Sequence, residues 1–190
     1  MKIEIKNLTK SYGENKVFDN LNLTLTDEKP ICLMAPSGKG KTTLFSILLG
    51  LLKADSGEII GIENKTFSAV FQEDRLCEEL SALMNLAIVR ENADTAKLFC
   101  ELEKIGLNEA EIRRPVTELS GGQRRRVSIM RSLVNKSDAV LMDEPFKGLD
   151  DETRKIVIEY IKENLNGRFF MFITHEENDA KLFDAEIIRL

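Results

Sequence analysis

Apolar and charged residues alternate from Lys2 to Leu8, the period of a half-buried strand. Val17 to Leu25 repeats it, with Val17, Leu21, Leu23 and Leu25 on one face and Asp19 in the same register. Pro30 to Met34 is a short continuous apolar run, as expected of a strand covered on both faces. After a glycine-rich turn at 35–40, Lys41 to Lys53 is apolar almost all round and predicts a buried helix. Gly57–Ile60 and Thr66–Phe71 predict two more strands. From Glu78 to about Arg114 the period becomes helical: Leu98, Phe99, Leu102 and Ile105 share a face, and Gly106 stands where a C-cap belongs. A further helix is expected from near Ser120, carrying Val127, Ile129, Met130, Leu133 and Val134. The last third alternates again: strand Ala139–Met142, helix Asp151–Leu165 stopped by Gly167, strand Phe169–Ile173, a short helix from Glu176 and strand Ala185–Leu190.

Such alternation predicts an α/β fold, a mostly parallel sheet covered by helices, with a helical insert. The chain shows no repeat, low-complexity tract or linker, so residues 1–190 are expected to form one domain, its helical part at about 75–135. A charged fraction of 31% beside 43% hydrophobic residues excludes a disordered or fibrous class. The net charge of −5 gives no footing for nucleic acid or an anionic lipid surface. No run approaches the roughly 18 apolar residues of a membrane span, and the N-terminus lacks the apolar centre of a signal peptide. The expected location is therefore cytoplasmic, with any membrane role exercised through a partner. Cys32, Cys77 and Cys100 are widely spaced, without a C-x-x-C pair, and only one histidine accompanies them. That predicts buried or partly buried free thiols, with neither a zinc site nor a disulfide framework.

Three segments carry candidate chemistry. Ser37-Gly38-Lys39-Gly40-Lys41-Thr42-Thr43 follows a buried strand and opens a helix. Successive backbone N–H groups and the positive helix N-terminus form an anion cradle there; Lys41 can reach terminal phosphates, and the Thr42 hydroxyl can meet Mg²⁺. The strand Ala139–Met142 delivers Asp143-Glu144 at its carboxyl end, where ligands bind in open α/β sheets. Asp143 suits the metal of a nucleotide, and Glu144 suits polarisation of an attacking water. Leu119-Ser120-Gly121-Gly122-Gln123 is a second anion-binding helix start, a hydroxyl with open N–H groups. One phosphate group needs only one such cradle in one subunit. Two copies packed head to tail would use both.

These segments resemble, in order and spacing, the Walker A, Walker B and LSGGQ signature of the ABC ATPases, and the resemblance runs from Ile3 to Leu190. It implies a P-loop NTPase core, an N-terminal antiparallel β subdomain and a helical signature subdomain. It also implies ATP and Mg²⁺ as ligands. Tyr12 matches the aromatic that stacks on adenine. Gln72 matches the glutamine contacting Mg²⁺ and water, Gly148-Leu149-Asp150 the loop between the paired subunits, and His175 the switch histidine. On this resemblance Glu144, His175 and Gln72 would be catalytic, and Thr42, Gln72 and Asp143 would hold the metal. Residues 37–43, Tyr12, Ser120, Gly121, Gly122, Gln123 and Asp150 would hold nucleotide.

The chain departs from the family pattern in several places. Ala35 replaces the usual first glycine, and Lys39 stands where a small residue is usual; its side chain is expected to point to solvent. Residues 57–72 are short, predicting a reduced β subdomain, and the chain stops at its last predicted core strand. Arg124-Arg125-Arg126 differs from the family's Gln/Arg mixture and is expected to form a solvated helix face. The implied function is ATP binding and hydrolysis powering a membrane transporter, as a bacterial importer or small exporter subunit. The implied partners are transmembrane permease subunits and a second cassette, identical or different, with no nucleic acid. Val70–Leu76 is similar to importers of nitrate and sulfonate. The alternative is an ATP-gated clamp of DNA repair or translation; those relatives usually carry two cassettes or long coiled-coil insertions, which are missing here.

Overall fold

The computed structural model describes all residues, 1–190. Two sheets organise it. Strands β1 (Lys2–Tyr12), β2 (Asn15–Thr26) and β4 (Ser56–Ile60) form an antiparallel sheet in the order β2-β1-β4. Strands β3 (Ile31–Met34), β5 (Phe67–Val70), β6 (Ala139–Asp143), β7 (Phe169–Ile173) and β8 (Glu186–Arg189) form a wholly parallel sheet in the order β5-β6-β7-β3-β8. The fold is α/β, with a parallel sheet, an antiparallel β subdomain and helices. No helix is long and apolar enough to cross a membrane.

Strands β3, β6 and β7 are buried at every residue, which explains why their sequences run apolar without alternation. Period-two geometry then sends alternate residues into two cores. Cys32, Val140, Met142, Phe170 and Phe172 join one with the helices α2 (Ala82–Ala87), α3 (Thr95–Lys104), α4 (Glu109–Arg113), α5 (Gly121–Val134) and α6 (Asp151–Asn164). Ile31, Leu33, Leu141, Met171 and Ile173 join the other, against α1 (Lys41–Leu48) and the antiparallel sheet.

Three departures from the expected elements have local causes. Helix α1 ends at Leu48 rather than Lys53. Gly50 adopts φ +70°, its N–H bonds to Ile47 O, and the Leu51 N–H reaches back to Ser46 O, a terminus only a left-handed residue permits. In β2, Asn20 takes φ +54° and shifts the register with β1, so that Phe18 turns inward and Asp19 stays out. Residues 78–114 form three short helices, each with its own side-chain N-cap: Ser81, Asp94 and Asn108. Gly106 does cap α3, with its N–H on Glu103 O and that of Leu107 on Leu102 O. α7 (Glu177–Leu182) precedes β8.

Candidate functional site

All strands of the parallel sheet point one way, so the segments leaving β3, β5, β6 and β7 emerge at one edge. There they enclose an open cleft of about 420 Å³. Among the residues singled out by sequence, Tyr12, Ser37, Gly38, Gly40, Lys41, Thr42, Thr43, Gln72, Asp143, Glu144 and His175 line it. Asn15 and Val17 line it as well and were missed; their only signal was a place next to the β1–β2 turn that carries Tyr12. The loop before α1 bends through Gly38 and Gly40, with φ of +80° and +89°. At Gly40 a Cβ would stand 2.5 Å from Val17 Cγ1 and 2.6 Å from the Phe18 ring, so both backbone angle and space demand glycine. The buried Lys41 Nζ donates to Ala35 O at 2.6 Å and Pro36 O at 3.3 Å. Lys39 is exposed and does not line the cleft.

Asp143, the last residue of β6, is buried and accepts a 3.0 Å hydrogen bond from the Thr42 hydroxyl. Burial pushes its carboxyl above the usual range, while the Thr42 bond and the Lys41 charge pull the other way. These two hard oxygen donors are of the kind Mg²⁺ takes. Glu144 sits at φ +51°, its N–H bonded to Ile173 O at 3.0 Å, and this left-handed turn swings its side chain beside the end of β7. Glu144 Oε1 lies 3.1 Å from His175 Nε2. Burial raises the Glu144 carboxyl too, and His175 opposes the rise. The His175 turn is itself braced: the Thr174 hydroxyl donates to Asp179 Oδ2 at 2.9 Å and accepts from the Glu176 N–H.

The remaining predicted residues stand elsewhere. Ser120 is the N-cap of α5 in a capping box: its hydroxyl accepts from the Gln123 N–H, and Gln123 Oε1 accepts from the Ser120 N–H. Gln123 Nε2 also donates to Glu111 Oε1 at 2.7 Å. Gly122 packs on the loop before α6, where an added Cβ would lie 3.4 Å from Gly148 O and Leu149 Cδ2. Asp150 caps α6 through the Thr153 N–H and hydroxyl. Ser120, Gly121, Gly122, Gln123 and Asp150 do not line the cleft. One chain thus presents two clusters: a cleft with lysine, hydroxyls and acids, and a helix start with its neighbouring loop.

Residues 18–147 match the family model described as ABC transporter. The chain belongs to the ABC transporter family. The spermidine/putrescine import ATP-binding protein PotA of Mannheimia succiniciproducens is 33% identical, covering 99% of this chain and 55% of that protein. PotA of Pseudomonas aeruginosa strain UCBPP-PA14 is 35% identical over 94% of this chain and 53% of that protein. The chain therefore spans about half the length of the curated relatives it matches. Their names specify polyamines, so they lend nothing to the likeness of Val70–Leu76 to importers of anions. The dimeric post-hydrolysis structure of the ATP-binding cassette MJ0796 bound to ADP and Pi superposes with a TM-score of 0.85. Identity to it is 28%, with coverage of 99% of this chain and 94% of that one.

Two expectations for this ABC chain need correction. Arg124-Arg125-Arg126 is no solvated face. Arg125 is buried, and Arg126 donates to the carbonyls of Ile105 and Gly106, because loops from distant parts of the sequence pack over this side of α5. Of the three thiols, which are all free, only Cys32 is buried; Cys77 and Cys100 are exposed.

Proposed function

We propose that this chain binds Mg²⁺-ATP in the cleft at the edge of the parallel sheet and hydrolyses it as the ATPase subunit of a bacterial importer. On this reading residues 1–190 act as one ATPase domain, with about 75–135 as its helical subdomain. Its partners are transmembrane permease subunits, which hold it at the inner face of the membrane from the cytoplasm, and a second cassette. The observation that carries it is the Thr42 hydroxyl on the Asp143 carboxylate, at the foot of a glycine loop that also presents Lys41. The names of the import ATP-binding relatives support the direction of transport.

The residues fit the ligands. Two glycines with left-handed φ shape the loop so that, apart from the Lys39 N–H on Pro36 O at 3.3 Å, its N–H groups are open to phosphate oxygens, and Lys41 adds a point charge. Thr42, Asp143 and Gln72 offer the metal its protein oxygens; Mg²⁺, when bound, neutralises charge that develops on the phosphates. Tyr12, about half exposed at the cleft edge with Lys10 Nζ 5.6 Å from its ring centre, offers a stacking face for the base. Glu144 orients the attacking water and takes its proton, and His175 fixes the Glu144 carboxylate from the β7 side. Ser120, Gly121, Gly122 and Gln123, with Asp150 beside them, serve the nucleotide of the opposite chain. Catalysis is then positioning and charge stabilisation.

Lys41→Ala is the direct test. Loss of a charge-assisted contact should weaken ATP binding roughly 10- to 100-fold in a fluorescent-nucleotide titration and abolish Mg²⁺-dependent phosphate release. Unchanged affinity overturns the assignment of the cleft.

A further inference from the structure

The segment that presents Gln72 is held almost wholly by one side of α5. Arg125 Nη1 donates to Phe71 O at 2.6 Å, Nη2 donates to Gln72 O, and Nε faces Asp74 Oδ1 at 3.2 Å. One planar guanidinium thus spans residues 71, 72 and 74, a grip that neither lysine nor glutamine can reproduce. One turn on, the Ser128 hydroxyl donates to Asp74 O at 3.1 Å, and Arg131 Nη2 donates to Arg75 O at 2.7 Å. Arg75 itself takes φ +46°, unusual for a long side chain, with its guanidinium 3.7 Å from the centre of the Phe71 ring. A backbone held in that region persists only where its surroundings over-determine it.

We propose that Arg125 is a positioning residue for hydrolysis: its guanidinium fixes the Phe71–Asp74 backbone and so sets where the Gln72 side chain enters the cleft. This rests on the hydrolysis reading above. Because α5 starts at the Ser120 cap, the same bond set makes the Gln72 loop and the signature end of α5 one rigid piece. A chain with glutamine at 125 could reach one of the two carbonyls and could not pair with Asp74. The precision of Gln72 is therefore a property of this chain's own arginine.

The test is a cycle of Arg125→Gln, Gln72→Ala and the pair together, read by turnover and by the Mg²⁺ concentration giving half-maximal turnover. Loss of the group behind a metal contact should lower turnover about tenfold or more and raise the Mg²⁺ requirement by a similar factor. Nucleotide affinity measured in EDTA should hold, since Lys41 is untouched. The double variant should be no slower than Gln72→Ala alone, because Arg125 acts through Gln72. Losses that multiply, or an unchanged Mg²⁺ requirement in Arg125→Gln, overturn the proposal. A wild-type chain without Mg²⁺-dependent turnover overturns the hydrolysis reading itself. Should Arg125→Gln not fold, Asp74→Asn carries the same cycle: it keeps the shape of the loop and removes the charge that faces Arg125 Nε at 3.2 Å and, more distantly, Arg124 Nε at 3.8 Å. Its loss should be a few-fold and vanish in the Gln72→Ala background; a loss that persists there overturns the role of the clamp.

Discussion

Cys32 lies in β3 between β7 and β8, paired with Phe172 on one side and Ile187 on the other. Burial pushes its thiol up to about 12, with the neighbouring Asp179 charge adding to the rise. The thiolate is the reactive species, so Cys32 should be inert at neutral pH. A chromogenic disulfide reagent at pH 8 should therefore titrate two thiols in the native chain, Cys77 and Cys100, and three in urea. A third fast-reacting thiol without denaturant would mean that the sheet opens at β3. The outward place of Cys100 was overlooked although the helical period carried it, since Cys100 lies two residues from both Leu98 and Leu102, on the far side of α3. No such signal marked Cys77, because a loop residue has no period to read. Arg125 shows the same limit from the other direction. A charged triplet reads as surface, and its burial follows only from the packing of residues 71–75, some fifty positions earlier, onto α5.

Between elements, one carboxylate aligns the edge of the parallel sheet. Asp138, just before β6, accepts from the Thr66 N–H at 2.9 Å and the Thr66 hydroxyl at 2.8 Å, with Lys65 Nζ 3.3 Å away. Thr66 precedes β5, so this clasp sets the pairing of Phe67 with Ala139. The Thr66 hydrogen bonds, then Lys65, lower the carboxyl from the usual 3.8 to about 2. A folded-state value below the unfolded one means stabilisation that is complete above the unfolded value and is lost as the pH falls toward the folded one. Asp138→Asn should lower the urea midpoint at pH 7, and the gap to wild type should narrow steadily below about pH 4. A gap of constant size would assign the effect to shape rather than charge. Elements of this kind were readable in type but not in extent. The apolar runs of β3, β6 and β7 announce doubly covered strands. The bulge at Asn20 and the early end of α1 at Gly50 depend on single left-handed residues that period counting passes over.

For the whole molecule, the proposed function assigns the two clusters different tasks. The cleft gathers Lys41, Thr42, Gln72, Asp143, Glu144 and His175, while the Ser120 cap and the Asp150 loop lie outside it. On the reading proposed above, the Ser120 helix start closes on the cleft of another chain; the superposed MJ0796 cassette, itself dimeric, is consistent with such pairing. Glu144→Gln puts it to the test. The substitution keeps the shape and the Ile173-bonded N–H of residue 144 and removes its charge from the cleft; if Glu144 is the base proposed above, turnover should fall about 10²–10⁴-fold. ATP binding should survive, because Lys41, Thr42 and Asp143 are unchanged. With one negative charge fewer between the closing surfaces, the ATP-bound pair should be more stable than in wild type. On a sizing column the variant should pass from monomer to dimer when ATP is added and return when ADP replaces it. If Ser120 serves only the opposite nucleotide, as proposed, adding Ser120→Arg should block the dimer and leave ATP binding by the single chain intact. A Glu144→Gln chain that binds ATP and remains monomeric at high concentration would refute self-pairing and direct the search to a different cassette as partner.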